Sequence, residues 1–276
     1  MNDLPKKITF TLYERLKKRI FNSKPYNKID LNYFPVGMTP ISDTKDNDVF
    51  IVGFPKSGNT LMQHIISHLV YGLNENVSRS LINFISPDIY TNRYYFRFND
   101  TCFFKSHNLP EKRYRKVIYI MRDGREAILS YHHMMKNMGM NVSLEELYTG
   151  EQKIFNVHWD EHIKSWEKNP FSAEILWIKY EDLLNNKFEE LKKICIFLKL
   201  DRNEKELSNV MKYTSFEFMK ALENKGDWVQ MKKGKFLKGK NFVRKGKLDT
   251  FKFEVSEELL KKFEELNSDS LNKYYV

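Results

Sequence analysis

The sequence predicts an α/β fold: a single domain with a central, mostly parallel sheet flanked by helices, entered through a P-loop-like strand–loop–helix. Short apolar, β-branched-rich runs recur at 49–52, 101–107, 116–121 and 173–180, as expected of strands buried on both faces. Between them lie longer stretches with apolar residues at helical spacing, and strands alternating with helices imply parallel pairing. The first run also passes through a loop with two glycines, Gly53 and Gly58, straight into a helical pattern at Leu61, Ile65 and Leu69.

That loop is the first candidate site. Free backbone N–H groups and the positive end of a helix converge there, so the expected ligand is a phosphate. Nucleotide triphosphatases use the pattern G-x-x-x-x-G-K-[ST]. Here the glycine separation is kept, but Asn59 stands where that lysine would be, and Lys56 lies inside the loop.

The second run ends in Lys105, Ser106 and His107. Ligands of open α/β sheets lie beyond the carboxyl ends of the strands, which brings Lys105 and His107 toward the loop's anion. A histidine there is either structural or a proton acceptor. The third run ends at Arg122, followed by Asp123, Gly124 and a helix carrying Ser130. Arg122 can grip an anion bidentately, or pair with Asp123 or Glu126. Residues 154–169 read as one amphipathic helix with Trp159, His162 and Trp166 on a face. The fourth run ends at Tyr180, residues 183–198 are helical, and a further helical stretch from Glu204 runs through 214–219. Residues 257–266 form the last helix.

Residues 1–47 read as an N-terminal segment packed on the core, with an amphipathic helix at 10–21, and 48–276 as the domain proper. Within it, 224–250 is rich in lysine and glycine, a mobile basic segment that can order over an anion. The 276 residues are 41% hydrophobic and 30% charged, as in a soluble globular protein, with no apolar run long enough to span a membrane. Cys102 and Cys195 are too few for a disulfide framework, and the N-terminus has no signal-peptide core, so a cytoplasmic location is expected. The net charge of +10 invites a nucleic-acid partner. Acidic residues interleave with the lysines, however, as on solvated helix faces, and a small polyanion uses the same field. No nucleic-acid or membrane partner and no metal site are expected.

Six short motifs, in order over about residues 34–265, give the chain a resemblance to the sulfotransferases that use 3′-phosphoadenosine 5′-phosphosulfate (PAPS), of the cytosolic type. They are PKSGNT at 55–60, KSH at 105–107, Arg122 with Ser130, YED at 180–182, TSF at 214–216 and RKG at 244–246. The resemblance implies that Lys56, Ser57, Gly58, Asn59 and Thr60 hold the 5′-phosphosulfate. By the same likeness Arg122 and Ser130, joined by Arg244, Lys245 and Gly246, hold the 3′-phosphate, and Tyr180, Thr214 and Phe216 touch the adenosine. His107 would be the catalytic base, with Lys56 and Lys105 stabilising the transferring group, and adenosine 3′,5′-bisphosphate (PAP) would leave. The chain departs from the family at Leu61, where the cytosolic enzymes carry a tryptophan, and at Phe251-Lys252, where they carry Trp-Lys. The animal enzymes' dimer motif is also degraded around Ser256, Glu257 and Lys261, so monomer and homodimer both stay open.

The resemblance implies a small-molecule acceptor, with phenols, alcohols, sugars and amine- or guanidine-type nitrogens all open. The aromatic stretch 78–100 favours a partly apolar one, whereas Asp88, Asp100, Glu145, Glu146 and Glu151 suit a cationic one. The alternatives are a P-loop phosphotransferase and a non-enzymatic basic module binding nucleic acid or another polyanion.

Overall fold

The computed structural model describes residues 37–73, 77–224, 246 and 248–275. The expected helix at 10–21 and nearly all of the basic segment 224–250, Arg244 and Lys245 included, lie outside the described residues. The chain divides into two units, Met1–Met38 and Thr39–Val276, and the second holds the fold described below.

Four strands form one parallel sheet: β2 (Val49–Val52), β4 (Phe103–Ser106), β5 (Lys116–Met121) and β6 (Glu174–Lys179), in the spatial order β4-β2-β5-β6. The register is continuous across it, with Ile51 between Lys105 and Ile118, and Ile118 opposite Leu176. A small antiparallel pair, β1 (Thr39–Pro40) with β3 (Tyr94–Tyr95), stands apart from this sheet.

The strands read as unbroken apolar runs because both faces are covered. Phe50, Val52, Phe104, Tyr119 and Met121 point into one core; Val49, Ile51, Phe103, Ile118 and Ile120 point into the other. This period of two places alternate residues on opposite faces. The first core is closed by α3 (Gly124–Asn137), α4 (Leu144–Thr149), α5 (Trp159–Lys168), α11 (Glu257–Leu266) and α12 (Ser268–Tyr274). The second is closed by α1 (Asn59–Tyr71), α6 (Tyr180–Asn185), α7 (Lys187–Leu198) and α8 (Glu204–Tyr213). Three further helices, α2 (Arg79–Ile85), α9 (Phe216–Asn224) and α10 (Phe251–Glu254), complete the described elements.

Several expected boundaries differ. The helix expected at 154–169 starts only at Trp159, because Phe155 and Asn156 both take left-handed backbone conformations in a tight turn closed by an Ile154–Val157 bridge. The helix expected at 183–198 is broken at Asn186 into α6 and α7. The stretch from Glu204 breaks at Thr214, whose hydroxyl bonds back to Val210 O (2.6 Å) in competition with the helical ladder. The aromatic stretch 78–100 contains α2, capped by Ser78, and α12 follows the helix expected to be last.

One contact sets how closely the strands meet at the site. A Cβ at Gly53 would lie 2.3 Å from the carbonyl oxygen of Ile120 on β5, a backbone atom that cannot swing away. Gly53→Ala should therefore destabilise the fold by at least about 2 kcal/mol, the scale of overpacking in a rigid site. The measurement is the urea midpoint at unchanged m-value.

Candidate active site

Because all four strands of the main sheet are parallel, their carboxyl ends lie along one edge. Each delivers a residue of interest just past its last hydrogen bond: His107 after β4, the 53–59 loop after β2, Arg122 after β5 and Tyr180 at the end of β6. A cavity of about 370 Å³ opens along this edge. Its walls include Lys56, Gly58, Asn59, Thr60, Lys105, His107, Arg122, Ser130, Tyr180, Thr214, Phe216 and Gly246. The structure thus brings together every described residue that the resemblance assigns to donor or catalysis except Ser57, which is buried and does not line the cavity. Of the five acids offered for a cationic acceptor, Asp88 lines it and Asp100, Glu145, Glu146 and Glu151 do not.

The loop is shaped to receive an anion. Lys56 and Gly58 both have positive φ, 70° and 106°, and α1 begins at Asn59 with no side chain capping its N-terminal N–H groups. Gly58 cannot be enlarged: a Cβ there would sit 2.6 Å from the Tyr180 ring. Asn59 has a different task from the lysine of a triphosphatase loop. Its amide is buried and donates to Gly53 O and Ser106 O, both at 3.2 Å, bracing the loop against the end of β4. Its amide N–H groups are thereby taken, and its Oδ1, an acceptor, does not suit an anion.

Arg122 is buried under the Tyr180 ring, its guanidinium carbon 4.4 Å from the ring centre. It donates to Lys56 O (3.1 Å) and pairs with Glu126 (3.2 Å), one of the two partners left open by the sequence. Its Nε has no partner among the described residues. An orphaned buried donor is costly unless a ligand supplies the acceptor. This donor, the uncapped helix end and the Gly58 cradle together fit an anionic nucleotide.

His107 is oriented by its backbone surroundings. Its Nδ1 lies 2.8 Å from Gly53 O, and a carbonyl only accepts, so Nδ1 carries the proton. Nε2 therefore holds the lone pair. Burial, and then the neighbouring Lys105 ammonium, lower its pKa to about 3, so the imidazole is neutral at physiological pH. The rings of Tyr90 and Phe155 stand 5.9 and 5.6 Å from it and form the outer wall. Lys105 is buried beside it and pairs with Asp88 at 2.6 Å.

Helix α5 holds these loops by three donors on one face. Trp159 Nε1 donates to Arg122 O (2.9 Å), His162 Nε2 to His107 O (3.1 Å) and Trp166 Nε1 to Asn108 O (3.1 Å). Tyr119 on β5 completes the set, 2.7 Å from His162 Nδ1, which must accept its hydroxyl proton. The spacing of these three side chains was legible, but not that they reach the carbonyls behind His107 and Arg122.

Sequence reasoning missed Lys187 at the other end of the cavity, where it donates to Thr214 O (2.8 Å) and burial lowers its pKa to about 8. It also missed Phe155 and Met134, and no local pattern marks any of the three. Leu61 lines the cavity, and Gly246 packs against the Phe216 ring. Cys102 and Cys195 are buried free thiols. Among the described residues no group of three His, Cys, Asp or Glu side chains is placed to hold a metal ion, and no helix is long and apolar enough to cross a membrane.

Parallel strand ends, a glycine-bearing loop before an uncapped helix and a buried arginine define an α/β protein built to bind an anionic ligand. The family model for the sulfotransferase domain matches residues 46–274, so the chain belongs to the sulfotransferase family and is a transferase of sulfuryl groups. Among its relatives, luciferin sulfotransferase of Photinus pyralis is 26% identical over 271 residues, covering 83% of this chain and 73% of that protein. Amine sulfotransferase of Oryctolagus cuniculus is 25% identical over 259 residues, covering 84% and 83%. In fold the chain is similar to retinol dehydratase, solved with androsterone and PAP (TM-score 0.64, 18% identity, covering 85% of this chain and 83% of that one). It is also similar to mouse sulfotransferase SULT7A1, solved with PAP (TM-score 0.61, 21% identity, covering 84% and 86%). The family sets aside the phosphotransferase and the non-enzymatic alternatives.

His162 yields a stability test. It is fully buried and burial lowers its pKa to about 4, whereas in the unfolded chain it titrates at the ordinary value near 6.5. The unfolded state therefore takes up this proton first, and the stability held by the neutral ring is lost as pH falls from 6.5 toward 4. Between pH 6.5 and 5 the loss should be about 2 kcal/mol. His162→Gln keeps a donor and an acceptor without titrating, so its unfolding free energy should fall less steeply over the same range.

Proposed function

We propose that this sulfotransferase uses PAPS as donor and moves the sulfuryl group to a hydroxyl or nitrogen of a small-molecule acceptor, with His107 as general base. One observation carries the reading: the Gly53 carbonyl holds Nδ1–H, so the lone pair on Nε2 is committed to a ring that lines the cavity beside the anion loop. PAPS supplies the sulfuryl group and departs as PAP. His107 Nε2 accepts the acceptor's proton as the acceptor atom attacks sulfur. Lys56, Lys105 and the N–H groups of residues 58–60 stabilise charge on the sulfuryl and bridging oxygens, whereas the N–H of Ser57 is taken by Phe54 O (3.1 Å). The anionic donor would lift the depressed pKa of His107, making it a better base once the site is filled.

The nucleotide end follows the same logic. Arg122 and Ser130, which both line the cavity, take the 3′-phosphate, joined by Gly246 and, as the family likeness implies, by Arg244 and Lys245. Tyr180, Thr214 and Phe216 contact the adenosine, and Lys187 beside them offers adenine a donor that partly offsets the missing tryptophan at Leu61. The chemistry calls for no metal, and a cytoplasmic location is part of the proposal. The acceptor end, with Tyr90, Tyr131, Met134 and Phe155, suits a small and partly apolar molecule.

His107→Ala should lower kcat by roughly 10²–10⁴ while PAP affinity, read by calorimetry, changes less than about twofold. Near-normal turnover would refute the base assignment. The neutral imidazole also predicts that kcat/KM with PAPS stays level from pH 7.5 down to about 5.5, instead of falling through the ordinary histidine value. Arg122→Ala should weaken PAP by roughly 10- to 100-fold but adenosine 5′-phosphate far less, because only PAP carries the 3′-phosphate.

A further inference from the structure

The acceptor end of the cavity contains a carboxylate that the mechanism above does not use. Asp88 is 5% exposed and sits at the end of a loop that joins the sheet edge. Its backbone makes a parallel bridge to Lys105, with Lys105 N donating to Pro87 O (2.9 Å) and Ile89 N donating to Lys105 O (3.0 Å). The two side chains are thus fixed neighbours, and Oδ2 of Asp88 meets Nζ of Lys105 at 2.6 Å. Oδ1 is held in turn by the N–H of Tyr90 (2.9 Å), and Asn83 Oδ1 accepts the N–H of Asp88 (3.1 Å). A lysine ammonium has three donors, of which Asp88 engages one.

Few surroundings here would keep an ammonium charged. Lys105 is 8% exposed, flanked in the sheet by Ile51, and faces Arg79 from α2 and His107 from its own strand end. Arg79 repels it, and the imidazoles of His107 and of His64, behind Arg79 on α1, are neutral. Tyr90 adds a phenol whose ionisation is pushed upward. Among the described residues, the carboxylate of Asp88 is the one group opposing desolvation and like charge. We propose that Asp88 is a positioning residue for sulfuryl transfer: bound to Lys105 through the bridge and the ion pair, it keeps that lysine charged and aimed beside the phosphosulfate loop and His107. The inference rests on the role proposed for Lys105, and it makes the acceptor-side carboxylate part of the transfer machinery instead of a counter-ion for a cationic acceptor.

The test is the alkaline side of the kcat–pH profile with PAPS and an acceptor that does not ionise over the range. Asp88→Asn preserves shape and the acceptor for Tyr90 N–H. It should move the alkaline limb down by at least about one pH unit, so its deficit grows roughly tenfold between pH 6.5 and 9. Lys105→Arg, whose guanidinium stays charged, should abolish the limb in a protein that keeps Asp88. A uniform loss in Asp88→Asn with the limb in place, or a limb that persists in Lys105→Arg, would overturn the proposal. The Lys105 Cε resonance of protein labelled with ¹³C-lysine, assigned from Lys105→Arg, separates this from the activity itself. Its titration midpoint should drop in Asp88→Asn, and an unchanged midpoint refutes the pairing even if no acceptor turns over. Absent turnover with intact PAP binding and a lowered midpoint would count against the proposed function while leaving the pairing supported.

Discussion

The carbonyl oxygen of Gly53 is the hinge of the site. It accepts from Asn59 Nδ2, which ties the loop to its own helix, and from His107 Nδ1, which ties the end of β4 to that loop. One acceptor thus sets both where the anion cradle closes and which nitrogen of the histidine faces outward. Its position is possible only because residue 53 lacks a Cβ, so β5 can approach within a distance no side chain would allow. His107 and the glycine-bearing loop are consequently parts of one rigid joint, with little freedom to drift apart.

Around that joint, charge is managed by burial and pairing. Arg122 and Lys105 are both buried cations with a single carboxylate partner each, Glu126 and Asp88. A buried charge without compensation costs several kcal/mol, so neither would be retained without its partner. Glu126 also accepts the N–H of Phe251 (3.0 Å), which links the arginine to the point where the chain returns from the basic segment. Neutral groups do the bracing: the indoles and imidazole of α5 bind carbonyls without adding charge, each worth about 1 kcal/mol net.

Much of this was legible in the sequence because its signals are local. Strands buried on both faces must be apolar throughout, which marked β2, β4, β5 and β6 at once, and a parallel sheet then places Lys105, His107 and Arg122 on one edge. What could not be read depends on contacts distant in sequence. Asp88 looked like one acid in an irregular aromatic stretch, and its meaning comes from a bridge to a lysine 17 residues away. Lys187 gains its place from a helix break and the carbonyl of Thr214, 27 residues on. The break at Thr214 comes from a hydroxyl turned back on its own helix, and the late start of α5 from two left-handed residues. Periodicity registers none of these.

The donors on α5 have an optical consequence. Two of the four tryptophans, Trp159 and Trp166, are almost completely buried, with their indole N–H groups bound to the carbonyls of Arg122 and Asn108. Indole emission responds to the hydrogen bonding and polarity at that nitrogen. The chain therefore carries built-in fluorophores wired to the loop that holds its buried arginine and the loop that follows its histidine, so a rearrangement of either loop is observable without any added label.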